Sequence, residues 1–139
     1  MAKKRVLLVG DDAVIRKAIQ KLLERSGYIY ADAADGTDGL AQAERTHPDV
    51  ILLDVRMPGL DGYEVCRRLK QNPASAAIPV IFLTAFPDLT LNRLAFEAGG
   101  VACITKPFRV EALVATIEAA LANAERRAKT ERADGGIVH

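Results

Sequence analysis

The hydrophobic residues of the chain fall into short continuous runs separated by longer segments of mixed character. Continuous apolar runs are typical of strands that are buried on both faces of a parallel sheet. The three clearest runs are Val6–Val9, Val50–Leu53 and Val80–Leu83. Two weaker runs, Tyr28–Ala33 and Val101–Thr105, predict two further strands.

Between these runs, apolar residues recur every three or four positions, which is the spacing of one face of a helix. The clearest such stripe consists of Ile15, Ala18, Ile19, Leu22 and Leu23. The remaining segments with helical character lie near Asp38–Arg45, Gly62–Gln71, Leu91–Ala98 and Leu113–Leu121. Strand and helix therefore alternate five times along the chain.

This alternation predicts an α/β fold, a doubly wound (βα)5 domain whose parallel sheet carries helices on both faces. Because crossovers between parallel strands are right-handed, the flavodoxin-like strand order 2-1-3-4-5 is the favoured arrangement. We expect the domain to cover residues 4–122. Residues 123–139 turn polar and charged, which predicts an extension of the last helix followed by a flexible tail that begins around Asp134.

Composition narrows the classes of protein further. The 139 residues include 19 basic and 18 acidic side chains, so a net charge of +1 gives no general attraction to nucleic acid or to anionic lipid. No apolar run approaches the roughly twenty residues of a membrane-spanning helix. Cys66 and Cys103 lie far apart in no metal-like spacing and are interpreted as reduced, packed thiols. We expect a cytoplasmic protein without direct contact to nucleic acid or membrane.

Polar residues follow four of the predicted strands. Ligands of open parallel sheets bind beyond the carboxyl ends of the strands, where the strand order reverses. Five side chains should converge there: Asp11, Asp12, Asp54, Thr84 and Lys106. Singly, each has a commoner explanation as a helix cap, a turn former or a solvated side chain. Their joint placement at one sheet edge favours a site.

Three adjacent carboxylates repel one another, and an octahedral Mg²⁺ ion would relieve that repulsion. The first loop, Gly10–Ala13, has neither the glycines nor the lysine of a phosphate-binding P-loop. A phosphoryl group could instead bridge the metal, the Lys106 ammonium and the Thr84 hydroxyl. Asp54 is then a candidate nucleophile that forms an acyl phosphate.

The chain resembles the receiver domain of two-component response regulators from about Lys4 to Leu121. The stretches that carry the resemblance are Leu7–Asp12, Ile51–Gly62, Leu83–Ala85 and Ile104–Phe108. The resemblance implies that Asp54 accepts a phosphoryl group from the phosphohistidine of a sensor histidine kinase or a histidine phosphotransfer protein. It implies a signalling domain rather than an enzyme, although one that assists its own phosphorylation and dephosphorylation.

The resemblance also assigns roles to the other residues of the site. It implies that Asp12 and Asp54 ligate Mg²⁺, that Asp11 helps through water, and that the backbone carbonyl of Arg56 completes the site. Thr84 and Lys106 would bind the phosphoryl oxygens. A cis peptide bond between Lys106 and Pro107 is also expected, and cis bonds are inexpensive before proline.

Three residues depart from the family pattern. Cys103 stands where such domains often carry an aromatic switch residue that moves together with the threonine, here Thr84. Gly10 stands where a larger apolar residue is more usual, and we interpret it as a residue that lets the backbone turn. Arg56 could lean over the pocket and tune the lifetime of the phosphoryl group, or it could simply point into solvent.

The sequence therefore predicts a single-domain response regulator, a monomer or weak homodimer, that docks onto a target protein through its helix 4–strand 5–helix 5 face or relays the phosphoryl group. Phosphorylation would shift an existing two-state equilibrium. One alternative is a docking module that works without phosphorylation, and another is the N-terminal receiver fragment of a longer regulator. A phosphatase of the haloacid-dehalogenase type is disfavoured, because its general acid would stand at Arg56.

Overall fold

The computed structural model of the protein describes residues 3–85 and 89–137. Its centre is one sheet of five parallel strands in the order β2-β1-β3-β4-β5. The strands are β1 Arg5–Val9, β2 Ile29–Ala33, β3 Val50–Asp54, β4 Val80–Thr84 and β5 Ala102–Thr105. All five predicted strands and their order are confirmed.

Each strand is followed by a helix. The helices are α1 Ala13–Arg25, α2 Gly36–Thr46, α3 Gly62–Gln71, α4 Leu89–Glu97 and α5 Val110–Ile137. The five predicted helices are therefore confirmed, and the predicted bounds of α3 match those of the structure.

The continuous apolar runs supply two separate hydrophobic cores, one on each face of the sheet. Along β1, Leu7 and Val9 pack with α2, α3 and α4, whereas Val6 and Leu8 pack with α1 and α5. Successive side chains of a strand point to opposite faces, so a strand covered on both sides needs apolar residues throughout. The sheet is thereby covered on both faces, and buried strands carry the polar residues at its carboxyl edge.

The last helix is longer than the sequence analysis predicted. It continues to Ile137, past Asp134, where the sequence analysis places the start of a flexible tail, and the flexibility of that segment stays a prediction. Alanine, glutamate, arginine and lysine dominate residues 119–133, and these strong helix formers carry the helix on through Gly135 and Gly136. Whether the domain ends near residue 122 stays a prediction, and residues 138–139 lie outside the described part of the chain.

In the part of the chain that the structure describes, no helix is both long and apolar enough to span a membrane.

Candidate functional site

Asp54, Thr84 and Lys106 meet at the carboxyl edge of the sheet, as predicted. Asp54 ends the central strand β3 and is only 5 % exposed, and Thr84 ends β4 and is 4 % exposed. Lys106 follows β5, and its Nζ lies 2.7 Å from Oδ1 of Asp54. The backbone N–H of Lys106 donates to the carbonyl of Thr84 at 2.6 Å, which ties the end of β5 to the end of β4. Three strand ends thus build one pocket.

Burial and neighbouring charges act on Asp54 in opposite directions. Removal from water raises the pKa of the Asp54 carboxyl, the Lys106 ammonium lowers it, and the charges of Asp11 and Asp12 raise it again, with a net increase. The contact with Lys106 is an ion pair, and Oδ1 of Asp54 has no hydrogen bond of good geometry among the described residues. The carboxylate can therefore bind a further positive group or accept a further hydrogen bond.

The two aspartates after β1 have different structural roles. Oδ1 of Asp12 caps α1, accepting from the backbone N–H groups of Val14 at 2.9 Å and Ile15 at 3.2 Å. Asp11 is not the capping residue of α1, and its charge raises the pKa of the Asp54 carboxyl more than the charge of Asp12 does. Among residues 3–85 and 89–137, no three His, Cys, Asp or Glu side chains are grouped as a metal site. The expected grouping of three carboxylates is therefore absent from the described residues, because Asp12 turns an oxygen to the helix.

A cavity of about 80 Å³ opens above Asp54. Thr84 and Lys106 line its walls, and Arg56 lines it as an exposed residue of the loop after β3. The volume holds several water molecules and is thus large enough for a small anion such as a phosphoryl group. Arg56 therefore borders the cavity, and that its side chain leans over the pocket stays a prediction.

A second cavity, of about 560 Å³, is apolar and adjoins the first at Lys106. It lies between α1 and the loop after β5, and its walls include Ile15, Leu22 and Phe108. The Lys106–Pro107 peptide bond in this loop is cis, as expected from the resemblance. Sequence reasoning missed this groove, because it depends on the gap between two elements far apart in the chain.

Cys103 lies on the sheet face that carries Phe82 and Thr84. Its register partner in β4 is Phe82, and both pack in the core beneath α3 and α4. Burial raises the pKa of the Cys103 thiol. Nothing at this position favours a thiolate, which agrees with the interpretation of Cys103 as a small packed residue rather than a redox centre.

Gly10 is the residue of the site that sequence reasoning undervalued. It is buried directly beside Asp54, and its φ is not in the left-handed region. No left-handed backbone conformation therefore requires a glycine at position 10, and the Asp54 carboxylate occupies the space beside it.

Comparison with known proteins identifies the class of this domain. The pattern of the response regulator receiver domain family matches residues 6–118, so the chain belongs to that family. Phosphorylation on an aspartate with Mg²⁺ is typical of the family, whose members are signalling domains.

Curated relatives are longer proteins. The chain is 38% identical over 122 residues to the DNA-binding dual master transcriptional regulator RpaA of Synechocystis, covering 88% of this chain and 51% of RpaA. It is 42% identical over 130 residues to the transcriptional regulatory protein CseB of Streptomyces coelicolor, covering 94% of this chain and 54% of CseB. The chain thus spans about half the length of these relatives.

Solved structures of single receiver domains match over nearly their whole length. The chemotaxis protein CheY4 of Vibrio cholerae is similar with a TM-score of 0.82 at 30% identity, covering 86% of this chain and 99% of CheY4. The receiver domain of the sensor histidine kinase PA1611 of Pseudomonas aeruginosa, described with a magnesium ion in its active-site cleft, has a TM-score of 0.81 at 31% identity. That match covers 87% of this chain and 99% of the other.

Proposed function

We propose that Asp54 is the phosphoacceptor of this receiver domain. The observation that carries the proposal is the Asp54 carboxylate itself, buried at the end of the central strand and paired at 2.7 Å with Lys106 beneath an open cavity. The donor is a phosphohistidine of a sensor histidine kinase or of a histidine phosphotransfer protein. An Asp54 oxygen forms the new O–P bond while the P–N bond to the donor breaks, and the released imidazole nitrogen regains a proton.

Lys106 and Thr84 bind the phosphoryl oxygens in this proposal. The Lys106 ammonium already contacts Asp54, and Thr84 lines the same cavity. A protein donor would dock on the apolar groove beside Lys106, which brings its histidine to the pocket and excludes water from it.

The residues present fit a Mg²⁺ ion. Mg²⁺ is commonly held by one or two carboxylates together with water and phosphate oxygens, so a set of three carboxylates is not required. Asp54 and Asp11 would supply the carboxylates and Arg56 its backbone carbonyl, while Asp12 contributes its charge and caps α1. A bound Mg²⁺ would neutralise the negative charge that collects between these carboxylates and the incoming phosphoryl oxygens.

Thermal unfolding tests the metal site without any phosphorylation. A ligand that binds only the folded protein raises its Tm. We expect millimolar Mg²⁺ to raise the Tm of the wild type by more than that of Asp11→Asn, and to raise the Tm of Asp12→Asn, which keeps a capping side chain, nearly as much as wild type. Equal shifts in all three proteins would contradict the assignment of Asp11.

For the output, we propose that phosphorylation changes the binding of a partner protein at the surface formed by α4, β5 and α5. Phe96 and Leu94 on α4 are 58 % and 38 % exposed, which leaves apolar side chains for a partner to cover. In this proposal the chain acts in the cytoplasm, as a monomer or weak homodimer, and makes no direct contact with nucleic acid.

A second candidate is that the chain is the receiver part of a longer regulator, in which it controls an attached output domain. The curated relatives favour this candidate. The transcriptional regulators to which the chain is similar are about twice as long as the matched region. In that case the same surface would contact an attached output domain. Phosphorylation at Asp54 is common to both candidates.

Intact-mass spectrometry tests the phosphoacceptor. After incubation with Mg²⁺ and acetyl phosphate, we expect one added phosphoryl group on wild type, and none on Asp54→Asn or in the presence of EDTA. An unmodified wild type that is folded and rapidly quenched would contradict the proposal and favour a docking module that works without phosphorylation.

A further inference from the structure

The first peptide group after β1 is bound on its carbonyl side by a residue of α1. Nη1 of Arg16 donates to the carbonyl of Gly10 at 2.6 Å. That carbonyl shares one planar peptide group with the N–H of Asp11, so its direction sets the direction in which the chain enters Asp11. Gly10 is buried, and a buried carbonyl without a partner would cost free energy. The Arg16 side chain therefore both satisfies this carbonyl and restrains its orientation.

Backbone contacts restrain the loop on both sides of Asp11. Before it, the N–H of Gly10 donates to the carbonyl of Ala33 at 3.0 Å, which continues the pairing of β1 with β2 beyond the last residue of β1. After it, the carbonyl of Asp12 accepts from the backbone N–H of Arg16 at 3.0 Å. Arg16 thus contacts the loop twice, and Asp11 lies between the two contacts.

The guanidinium of Arg16 is bound in turn by β2. Its Nε lies 3.6 Å from Oδ2 of Asp32, and the Arg16 side chain is only 19 % exposed. The Tyr30 hydroxyl lies 2.9 Å from the same Oδ2 and 3.0 Å from the carbonyl oxygen of Arg16, and it shares its one proton between these acceptors. A guanidinium presents its donors in a planar fork, which lets Arg16 contact a carboxylate and a carbonyl together. Arg16 therefore connects β2 to the loop after β1.

The charge of Arg16 is used outside the pocket. Among the residues that the structure describes, its ion pair is with Asp32, and none joins it to Asp11 or Asp54. These two carboxylates therefore remain available for a different cation.

We propose that Arg16 is a positioning residue for Asp11: by binding the Gly10 carbonyl, it orients the peptide group that leads into Asp11 and so places the Asp11 carboxylate to hold Mg²⁺ together with Asp54. This inference rests on the proposed function, which assigns Asp11 and Asp54 as the carboxylates of the metal site. In this role Arg16 touches neither the metal nor the phosphoryl group.

Charge and position predict opposite effects when Arg16 is replaced. Arg16 is close to the acidic site, so the loss of its positive charge alone would strengthen the binding of Mg²⁺. The loss of its restraint on Asp11 would weaken that binding, because residues that orient metal ligands change metal affinity by about tenfold to a hundredfold. The direction of the change in affinity therefore separates the two roles.

Titration of the full chain with Mg²⁺, followed by NMR, measures the affinity of the folded protein separately from its stability. We expect Arg16→Met, which keeps an apolar side chain, to bind Mg²⁺ roughly tenfold more weakly than wild type. Tyr30→Phe is the matched control, because it removes a hydroxyl from the same network and leaves the contact between Arg16 and Gly10 in place. We expect its affinity for Mg²⁺ to match that of wild type.

An affinity of Arg16→Met equal to or higher than that of wild type would overturn the inference. An equal loss in Tyr30→Phe would overturn it too, because the loss would then follow the general packing of the network. If Arg16→Met does not fold, Arg16→Lys takes its place, since an ammonium keeps the charge but lacks the fork that binds Asp32 and Gly10 together. We expect weaker Mg²⁺ binding in that variant as well, and an affinity equal to wild type would overturn the inference.

The amide nitrogen resonance of Asp11 tests the geometry without any metal. This nitrogen belongs to the same peptide group as the Gly10 carbonyl. We therefore expect its signal in EDTA to move in Arg16→Met or Arg16→Lys and to stay in place in Tyr30→Phe. An unmoved signal in the Arg16 variant would overturn the inference. A wild type that binds no Mg²⁺ would instead contradict the proposed metal site, and the Asp11 signal would still decide whether Arg16 orients this peptide group.

Discussion

Lys106 and Asp54 form an ion pair of 2.7 Å between the residue that follows β5 and the last residue of β3, with β4 lying between the two strands. The lysine spans the end of β4, where its backbone N–H also binds the carbonyl of Thr84. The ion pair therefore connects three strand ends at the floor of one cavity. A group added to Asp54 would change the contacts of Lys106 and Thr84 together. Such a local change is what a domain that signals its phosphorylation requires.

Neutralising Asp54 should stabilise the protein when no Mg²⁺ is present. The pKa of the Asp54 carboxyl is raised in the folded state, chiefly by burial, so its ionised form costs free energy that grows as the pH rises above the ordinary value of about 3.9. We expect Asp54→Asn in EDTA to have a higher free energy of unfolding than wild type at pH 7. The gain is about 1.4 kcal/mol for each unit by which the pKa is raised.

The sign of this effect fixes its pH dependence. Below the unfolded pKa the carboxyl is protonated in both states, so the advantage of Asp54→Asn should vanish in denaturant titrations toward pH 3 and appear between pH 4 and pH 7. Asp61→Asn is the control, because Asp61 is an exposed cap of α3 whose replacement keeps a capping oxygen. A gain from Asp54→Asn that is independent of pH would contradict the electrostatic cause.

Arg56 should lengthen the life of the phosphoryl group. It borders the cavity above Asp54 and is exposed, and a guanidinium on a side chain of this length can reach phosphoryl oxygens there and shield them from water. We expect Arg56→Ala to lose the phosphoryl group roughly two- to tenfold faster than wild type. The decay of the phosphorylated mass after removal of acetyl phosphate measures this.

Arg67→Ala is the matched control for Arg56→Ala. Arg67 is an exposed arginine of α3 that pairs with Glu64, away from the cavity. We expect its phosphoryl lifetime to equal that of wild type. Equal lifetimes for Arg56→Ala and wild type would refute the role of Arg56.

Cys103 should be dispensable for phosphorylation. It packs beside Phe82 in the core, and burial raises the pKa of its thiol, so it supplies neither a charge nor a reactive thiolate to the pocket. We expect Cys103→Ala to be phosphorylated within about twofold of the wild-type rate. The native protein should also react with a thiol reagent at pH 8 much more slowly than the unfolded protein does. A large loss of rate in Cys103→Ala would assign Cys103 a part in the switch.

The sheet and most of the site follow directly from the sequence. The run Val6–Val9 predicts a strand with both faces covered, and the structure divides its alternate residues between two cores. The strand ends then place Asp54, Thr84 and Lys106 by topology alone, because the carboxyl ends of parallel strands share one edge. Their meeting could therefore be predicted without knowledge of any side-chain conformation.

Other features depend on geometry that residue types do not specify. An aspartate after a strand suits a metal and a helix cap equally well, and the cap at Asp12 depends on where α1 begins. The closeness of Gly10 to the Asp54 carboxylate joins two residues that are distant in sequence. At the end of α5, the helix propensity of the alanine-rich segment outweighs the two glycines at 135 and 136.

The most direct test of the account is to locate the phosphoryl group within the chain. Borohydride reduces an aspartyl phosphate to homoserine, which tandem mass spectrometry can place in a peptide. The tryptic peptide of residues 46–56 contains both Asp54 and Asp49, so one peptide holds the expected site and an internal control. We predict homoserine at position 54 alone, and only after treatment with Mg²⁺ and acetyl phosphate. Homoserine at Asp49, Asp11 or Asp12, with Asp54 unmodified, would contradict the assignment of Asp54 as the phosphoacceptor.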